Sequence, residues 1–230
     1  ELDGFLLSDW WGVDAMLETI SIGPKDVSLT GHYYSLIFNT EREISLEDRK
    51  ALSSNLDRGQ IPGLAASGPI PSNSPYWTEH AELRVGFDPA AQGTLSGKEF
   101  TIATLNQPEM KQLLQQVKAQ LEERGAVIKE LYLSIDEFQS KVLREHDFDV
   151  ALVRQYVGLD PDLYSFWHSS QIDAPGLNIA SLKNRRVDKT LEQGRTITNI
   201  EERKGIYSEF QQYFLEEYPA VYITHPPVYV

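Results

Sequence analysis

Glu145-His146-Asp147-Phe148-Asp149-Val150-Ala151-Leu152-Val153-Arg154-Gln155-Tyr156-Val157-Gly158-Leu159-Asp160-Pro161-Asp162 reads as one buried strand and the loop that leaves it. Val150 to Val153 is a continuous apolar run rather than an alternating one, as expected of a strand covered by helices on both faces. The run turns polar only at Arg154-Gln155-Tyr156, just before Gly158 and the Asp-Pro turn. In an open α/β sheet, ligands sit outside the carboxyl ends of the strands. A strand that is apolar along its body and polar at that end is expected to offer Arg154, Gln155, Tyr156 and Val157 to a ligand. Successive residues point to opposite faces, so Arg154 and Tyr156 share one side and Gln155 and Val157 the other.

Upstream, the pattern is regular. Phe100 to Thr104 predicts a strand, and Asn106 is expected to cap a helix carrying Met110, Leu113, Leu114, Val117 and Leu121 at helical spacing. Gly125 ends that helix. Val127 to Leu133 predicts the next strand, and Ser134 with Glu137 forms a capping box for a helix with Ile135, Phe138 and Val142. The order β-α-β-α-β implies parallel strands with right-handed crossovers. Their carboxyl ends, near Asn106, Ser134 and Tyr156, then share one edge, the expected ligand face.

Elsewhere, Leu2 to Leu7 is apolar and Ser8-Asp9 can cap a helix bearing Trp10 and Trp11. His32 to Asn39 predicts a strand, and Ser45 with Asp48 starts a short helix. The Pro- and Gly-rich stretch 59–75 predicts a long loop, followed by Tyr76-Trp77. After the Asp-Pro turn, Tyr164 begins a single helical turn, Asn184 caps a helix, and Asn199 caps a last one. The stripe Ile206, Tyr207, Phe210, Tyr213, Phe214, Tyr218 on that last helix reads as core.

The net charge of −13 on 230 residues argues against a nucleic-acid partner, since phosphate contacts need clustered Lys and Arg. A hydrophobic share of 41% with 24% charged residues is that of a soluble globular protein. Zero cysteines exclude disulfides, thiolate catalysis and Cys-based metal sites. No apolar run approaches the about 18 residues of a membrane span.

Three anchors, in order, resemble the large solute-binding proteins of peptide-type ABC importers, a family that includes dipeptide-, oligopeptide- and nickel-binding receptors. One anchor is the quoted strand with Gly158 and Asp160-Pro161-Asp162. Another is Asn184-Arg185-Arg186-Val187-Asp188, then Thr198 to Arg203, the aromatic helix, and Pro219 before Val221 to His225. The third is Tyr34 to Thr40 with Gly68-Pro69-Ile70-Pro71 after it. Members of that family have two lobes, and this chain matches the second, so residues 1–230 are expected to be a single ligand-binding lobe. The start at Glu1, without Met, is expected of a processed or excised piece.

The resemblance implies a non-enzymatic, extracytoplasmic (periplasmic or cell-surface) component, and the residues themselves lead to the expectation of no cofactor and no metal site. Its partners would be a small solute, peptides included, the missing first lobe, and an ABC permease. The region of Trp77 would run close to the cleft. In peptide-binding members, an Asp three residues before the Asp-Pro turn anchors the peptide's free amine; here that position is Val157, so that anchoring mode is not carried over. Asp160, Pro161 and Asp162 match the family's turn, with a structural role.

Enzyme signatures are missing. Gly93 to Lys98 departs from the phosphate-loop spacing, and Glu99 stands where Ser or Thr is needed. No Gly-x-Ser-x-Gly elbow occurs, and His32, His80, His146, His168 and His225 are scattered. The pairs Asp147/Asp149 and Asp160/Asp162 would serve a glycosidase, but a strand entrance and an Asp-Pro turn explain them better. No catalytic residue is expected. Arg154, a charge at the end of a buried strand, needs a partner: a ligand carboxylate or a carboxylate of the lobe itself. The function expected is solute capture for an ABC importer. The alternatives are a ligand-sensing domain of a regulator or receptor on the same fold, and a glycoside hydrolase.

Overall fold

The structure, a computed structural model, describes residues 31–78, 86–158 and 160–226. The helix expected from Ser8, with Trp10 and Trp11, lies outside them. Among the described residues, six strands form one mixed sheet: β1 (His32–Phe38), β2 (Leu64–Ala65), β3 (Glu99–Leu105), β4 (Val127–Leu133), β5 (Val150–Tyr156) and β6 (Ala220–His225). Their order across the sheet is β2-β6-β1-β5-β3-β4. β3 runs parallel to both β4 and β5, as the β-α-β-α-β pattern demands. β1 runs antiparallel to β5 and β6, and β2 antiparallel to β6.

Helices cover both faces, which is why β5 lacks alternation. Val150 and Leu152 face one cluster with Met110, Leu113, Leu114, Val117 and Leu121 of α2 (Pro108–Glu123). That cluster also takes Leu52 from α1 (Leu46–Ser54). Ala151 and Val153 face a second cluster with Phe138 of α3 (Ile135–Phe138) and Trp167 of α4 (Tyr164–Trp167). Val187 and Leu191 of α5 (Arg185–Thr196) and Tyr207, Phe210 and Phe214 of α6 (Ile200–Glu217) complete it. Truncating a fully buried leucine such as Leu113 would cost about 2–5 kcal/mol.

The caps follow side-chain chemistry. Ser134 and Glu137 form the reciprocal box, and α3 then widens into a π-helical turn over Gln139–Arg144. Asn184 and Asn199 accept the first N–H groups of α5 and α6. The start of α2 differs from expectation. Its N-cap is Gln107, with no side-chain cap bond, because Pro108 at the first helical position presets the backbone. Asn106 instead gives its N–H to Leu133 O at 2.7 Å.

The stretch 59–75 hides the edge strand β2, two residues long and too short to show a period. Tyr218 also leaves the expected stripe. In left-handed backbone at φ 48°, it ends α6 and packs into the first cluster, not the second.

Direction and order together define one edge. The carboxyl ends of β3, β4, β5 and β6 meet there, with the first residues of β1 and β2: His32 pairs with Tyr156 and Leu64 with His225. Gly31, just before β1, sits at φ +79°, where a Cβ would lie 2.1 Å from Val157 O. Its own carbonyl accepts the Val157 N–H at 2.8 Å. Only glycine fits so close to a backbone at positive φ.

Candidate functional site

On the first face, this edge carries a cavity of about 290 Å³ whose lining includes His32, Gln107, Glu109, Met110, Arg154 and Tyr156. The fold explains each position. Arg154 lies two residues beyond Leu152 on the same face, opposite Tyr34 in the ladder, where β5 emerges from under α2. Glu109 belongs to the first turn of α2, which starts right after β3 and so brings an acid back to the edge. An acid there also suits the positive end of the helix dipole.

The Tyr34 hydroxyl donates a hydrogen bond to Glu109 Oε1. Arg154 Nη1 stands 3.6 Å from Glu109 Oε2, with 38% of the Arg154 side chain exposed against 14% for Glu109. That distance is an ion pair and not a hydrogen bond. A guanidinium carries five N–H donors in a fixed fork, so most of this one is free for a ligand anion. The lobe carboxylate that could answer Arg154 is therefore present, but it holds the fork loosely.

The His32 and Tyr156 rings tilt against each other, with centroids 4.9 Å apart. Burial holds the His32 imidazole below its ordinary pKa, the Arg154 charge adds to this, and Glu109 opposes it. The His32 Nδ1 is buried without a hydrogen-bond partner. His225 Nδ1–H donates to the His32 carbonyl at 2.9 Å, which ties the end of β6 to the start of β1. Among the described residues, the cavity thus brings together the accessible Arg154 cation, the shielded Glu109 acid and the His32–Tyr156 ring pair.

The expected site residues divide. Arg154 and Tyr156 come together at the cavity, and Tyr156 is 58% exposed. Gln155 lines it too, but is buried, its Oε1 accepting from Ser35 Oγ at 3.1 Å. Val157 is buried in the second cluster, so its side chain turns away from the cavity. Asn106 is exposed at the edge. Trp77 lies elsewhere, in a separate cavity beside β2 and β6. Glu109, Tyr34 and His32 were not expected. An acid in the first turn of the helix after a predicted strand was a readable signal for Glu109. No local signal tells that β1 runs antiparallel and brings His32 and Tyr34 to this end.

The turn after β5 is built differently. Arg195 of α5 grips Asp162 with its fork, Nε to Oδ1 at 3.0 Å and Nη2 to Oδ2 at 2.7 Å, and lies over the Tyr164 ring at 4.1 Å. Arg203 of α6 holds Asp160 at 2.7 Å, and the Tyr207 hydroxyl donates to Pro161 O at 2.6 Å. Burial raises the Asp162 carboxyl, but the Arg195 fork, the Tyr164 N–H and both guanidinium charges outweigh it and leave its pKa below the usual range.

The fold is a mixed α/β sheet, covered by helices on both faces, whose strand ends open at one edge. No family model matches this chain. The oligopeptide-binding protein AppA of Bacillus subtilis (strain 168) is 26% identical over 125 residues, which is 54% of this chain and 21% of AppA. Among solved structures, AppA from Bacillus subtilis in complex with a nonapeptide has a TM-score of 0.76 at 21% identity, covering 96% of this chain and 54% of AppA. NikZ from Campylobacter jejuni in complex with Ni(L-His) gives 0.77 at 22% identity, over 93% and 49%. A dipeptide-binding protein from Pseudoalteromonas sp. SM9913 in complex with Met-Leu gives 0.79 at 21%, over 93% and 47%. The chain resembles the peptide- and nickel-type solute-binding proteins of ABC transporters and carries the fold of part of them. It spans about half the length of these solved relatives and 21% of the curated one.

Proposed function

We propose that this chain is one ligand-binding lobe of an extracytoplasmic solute-binding protein that feeds an ABC importer. It acts by binding, without chemistry, closing on a peptide-like or other small solute against a facing first lobe through hinge motion. The observation that carries the reading is the shared edge. The carboxyl ends of β3 to β6 open there, and the chain enters β1 and leaves β6 at the same place. A lobe reached and left at its ligand face is joined to its partner across that face. The nonapeptide and Met-Leu named with two similar structures support a peptide-like solute. Arg154 is the group for a solute carboxylate, and Tyr156 with His32 form an aromatic wall. The buried Val157 gives no amine anchor of its own.

Native mass spectrometry of the longer protein, purified without refolding, should reveal a retained solute. Arg154→Gln should then weaken binding of that solute by about tenfold or more, ~1.4 kcal/mol. Equal affinity of the isolated chain and the longer protein would overturn the two-lobe cleft, because one wall supplies only part of the contacts.

A further inference from the structure

Beside β2 and β6 lies the second cavity, about 430 Å³, whose walls include Arg58, Ser67, Ser72, Trp77, Leu215 and Tyr218. Arg58 is the uncommon feature. Its Nε donates to Tyr222 O at 2.5 Å, its Nη2 to Ser53 Oγ at 2.7 Å, and its Nη1 to Ser53 O at 3.5 Å. Every one of these partners is neutral. The adjacent Asp57 caps its own turn, Oδ1 accepting the Gly59 N–H at 3.0 Å and Oδ2 the Gln60 amide at 2.9 Å. Among the described residues, no carboxylate makes an ion pair with Arg58, whereas Arg195 and Arg203 each hold one.

A partly buried guanidinium without an anion still carries a desolvation cost, and it cannot escape by giving up its proton. Burial pushes its pKa down, against the pull of Tyr218 and Asp57, but the group stays charged. What meets it in the cavity should therefore be an anion. The rest of the wall selects the body of that ligand. Trp77, Leu215 and Tyr218 are aromatic or aliphatic, and Ser67 and Ser72 are exposed and add hydroxyls. The volume falls within the range of small-molecule sites, about 300–1,000 Å³.

We propose that this cavity is a second binding site, for a small carboxylate with an aromatic body: the carboxylate on Arg58, the ring against Trp77 and Leu215. The site stands apart from the strand-end cavity and does not rest on the importer reading.

Calorimetry on the full chain with phenylacetate as probe, and phenylacetamide as its neutral counterpart, tests the assignment. Phenylacetate should bind at least about tenfold tighter than the amide, the weight of one charge-assisted contact. Arg58→Gln, which keeps hydrogen-bonding capacity without the charge, should erase that preference. Ser72→Phe, which obstructs the cavity without touching Arg58, should weaken both probes. The proposal is overturned by no binding of phenylacetate at about 10 mM, by equal affinities for the two probes, or by loss of the signal in Arg154→Gln, which would move the probe to the strand ends. Should Arg58→Gln fail to fold, Ser72→Phe decides: unchanged phenylacetate affinity in that variant overturns the site.

Discussion

Two arginine–carboxylate arrangements flank the end of β5, and they differ in how completely the charges are met. On one face Arg195 and Arg203 clamp the Asp160-Pro161-Asp162 turn through bidentate and multiple contacts, with tyrosine rings beneath both guanidinium groups. On the other, Arg154 touches Glu109 once, at 3.6 Å. Both lie at the strand-end edge of an α/β sheet, where open sheets take their ligands, so position alone does not distinguish them. Coordination separates them. Where the fork is filled from within, the pair holds the loop in place; where it is open, the cation remains for something arriving from outside.

The comparison is sharpest at Val157, which lies between the two arrangements. Its side chain is 3% exposed in the core beneath the clamp. Val157→Asp should cost about 3–5 kcal/mol at neutral pH, because it buries an unpaired carboxylate. For a chain of this size, each kcal/mol lowers Tm by about 2–4 °C. An unshifted denaturation midpoint would mean that the side chain faces the open edge, and an amine anchor could then be installed there.

Next comes the clamp. Arg203 is largely buried against Tyr76 and Tyr207, with centroid distances of 4.8 and 5.3 Å, and also bonds both hydroxyls. Arg203→Met keeps the bulk but loses the fork and the ring contacts, and should cost about 2 kcal/mol in chemical denaturation. A loss near zero would put Arg203 in the same category as Arg154 and dissolve the contrast.

Much of this contrast could be read from sequence, and the unread part has a physical reason. The apolar body of β5, the capping residues Ser134, Asn184 and Asn199, and the spacing of Met110 to Leu121 all encode local geometry, and the structure follows them. Arg154 and Tyr156 follow from the same strand. Glu109, Tyr34 and His32 depend on non-local facts: the antiparallel direction of β1, its place beside β5, and the proline start of α2. Val157 shows the limit of the edge argument. The strand's last apolar residue continues the core pattern past the ladder, because Gly31 bonds its N–H and closes over it.

A smaller effect should appear in acid. The Asp162 carboxyl is held below its usual range in the folded chain. A carboxyl depressed on folding stabilises the native state above its unfolded pKa, about 3.9, and that stabilisation is lost as pH falls through the folded value. Asp162→Asn should therefore cost only ~0.5 kcal/mol at pH 7, as expected for a half-exposed pair. Below about pH 4 the variant should lose stability less steeply than the parent, a difference read from denaturation midpoints across the acid limb. Parallel curves would mean that Asp162 titrates alike in both states and that the Arg195 grip adds nothing.

The smallest stability effect belongs to Arg154. Its guanidinium makes one long ion pair at a partly exposed site, and such pairs contribute about 0–1 kcal/mol. Glu109 would not be stranded by its loss, since the Tyr34 hydroxyl still donates to it. Arg154→Gln should thus shift the unfolding free energy by under ~0.5 kcal/mol, measured beside Arg203→Met under the same conditions. A residue that costs the fold nothing when removed, yet carries a charge at the end of a buried strand, is not held there by the needs of folding. If Arg154→Gln instead destabilised the chain as much as the Arg203 variant, the Glu109 pair would be a second clamp. Arg154 would then no longer be an available cation at this edge, and the reason to seat a solute carboxylate on it would be gone.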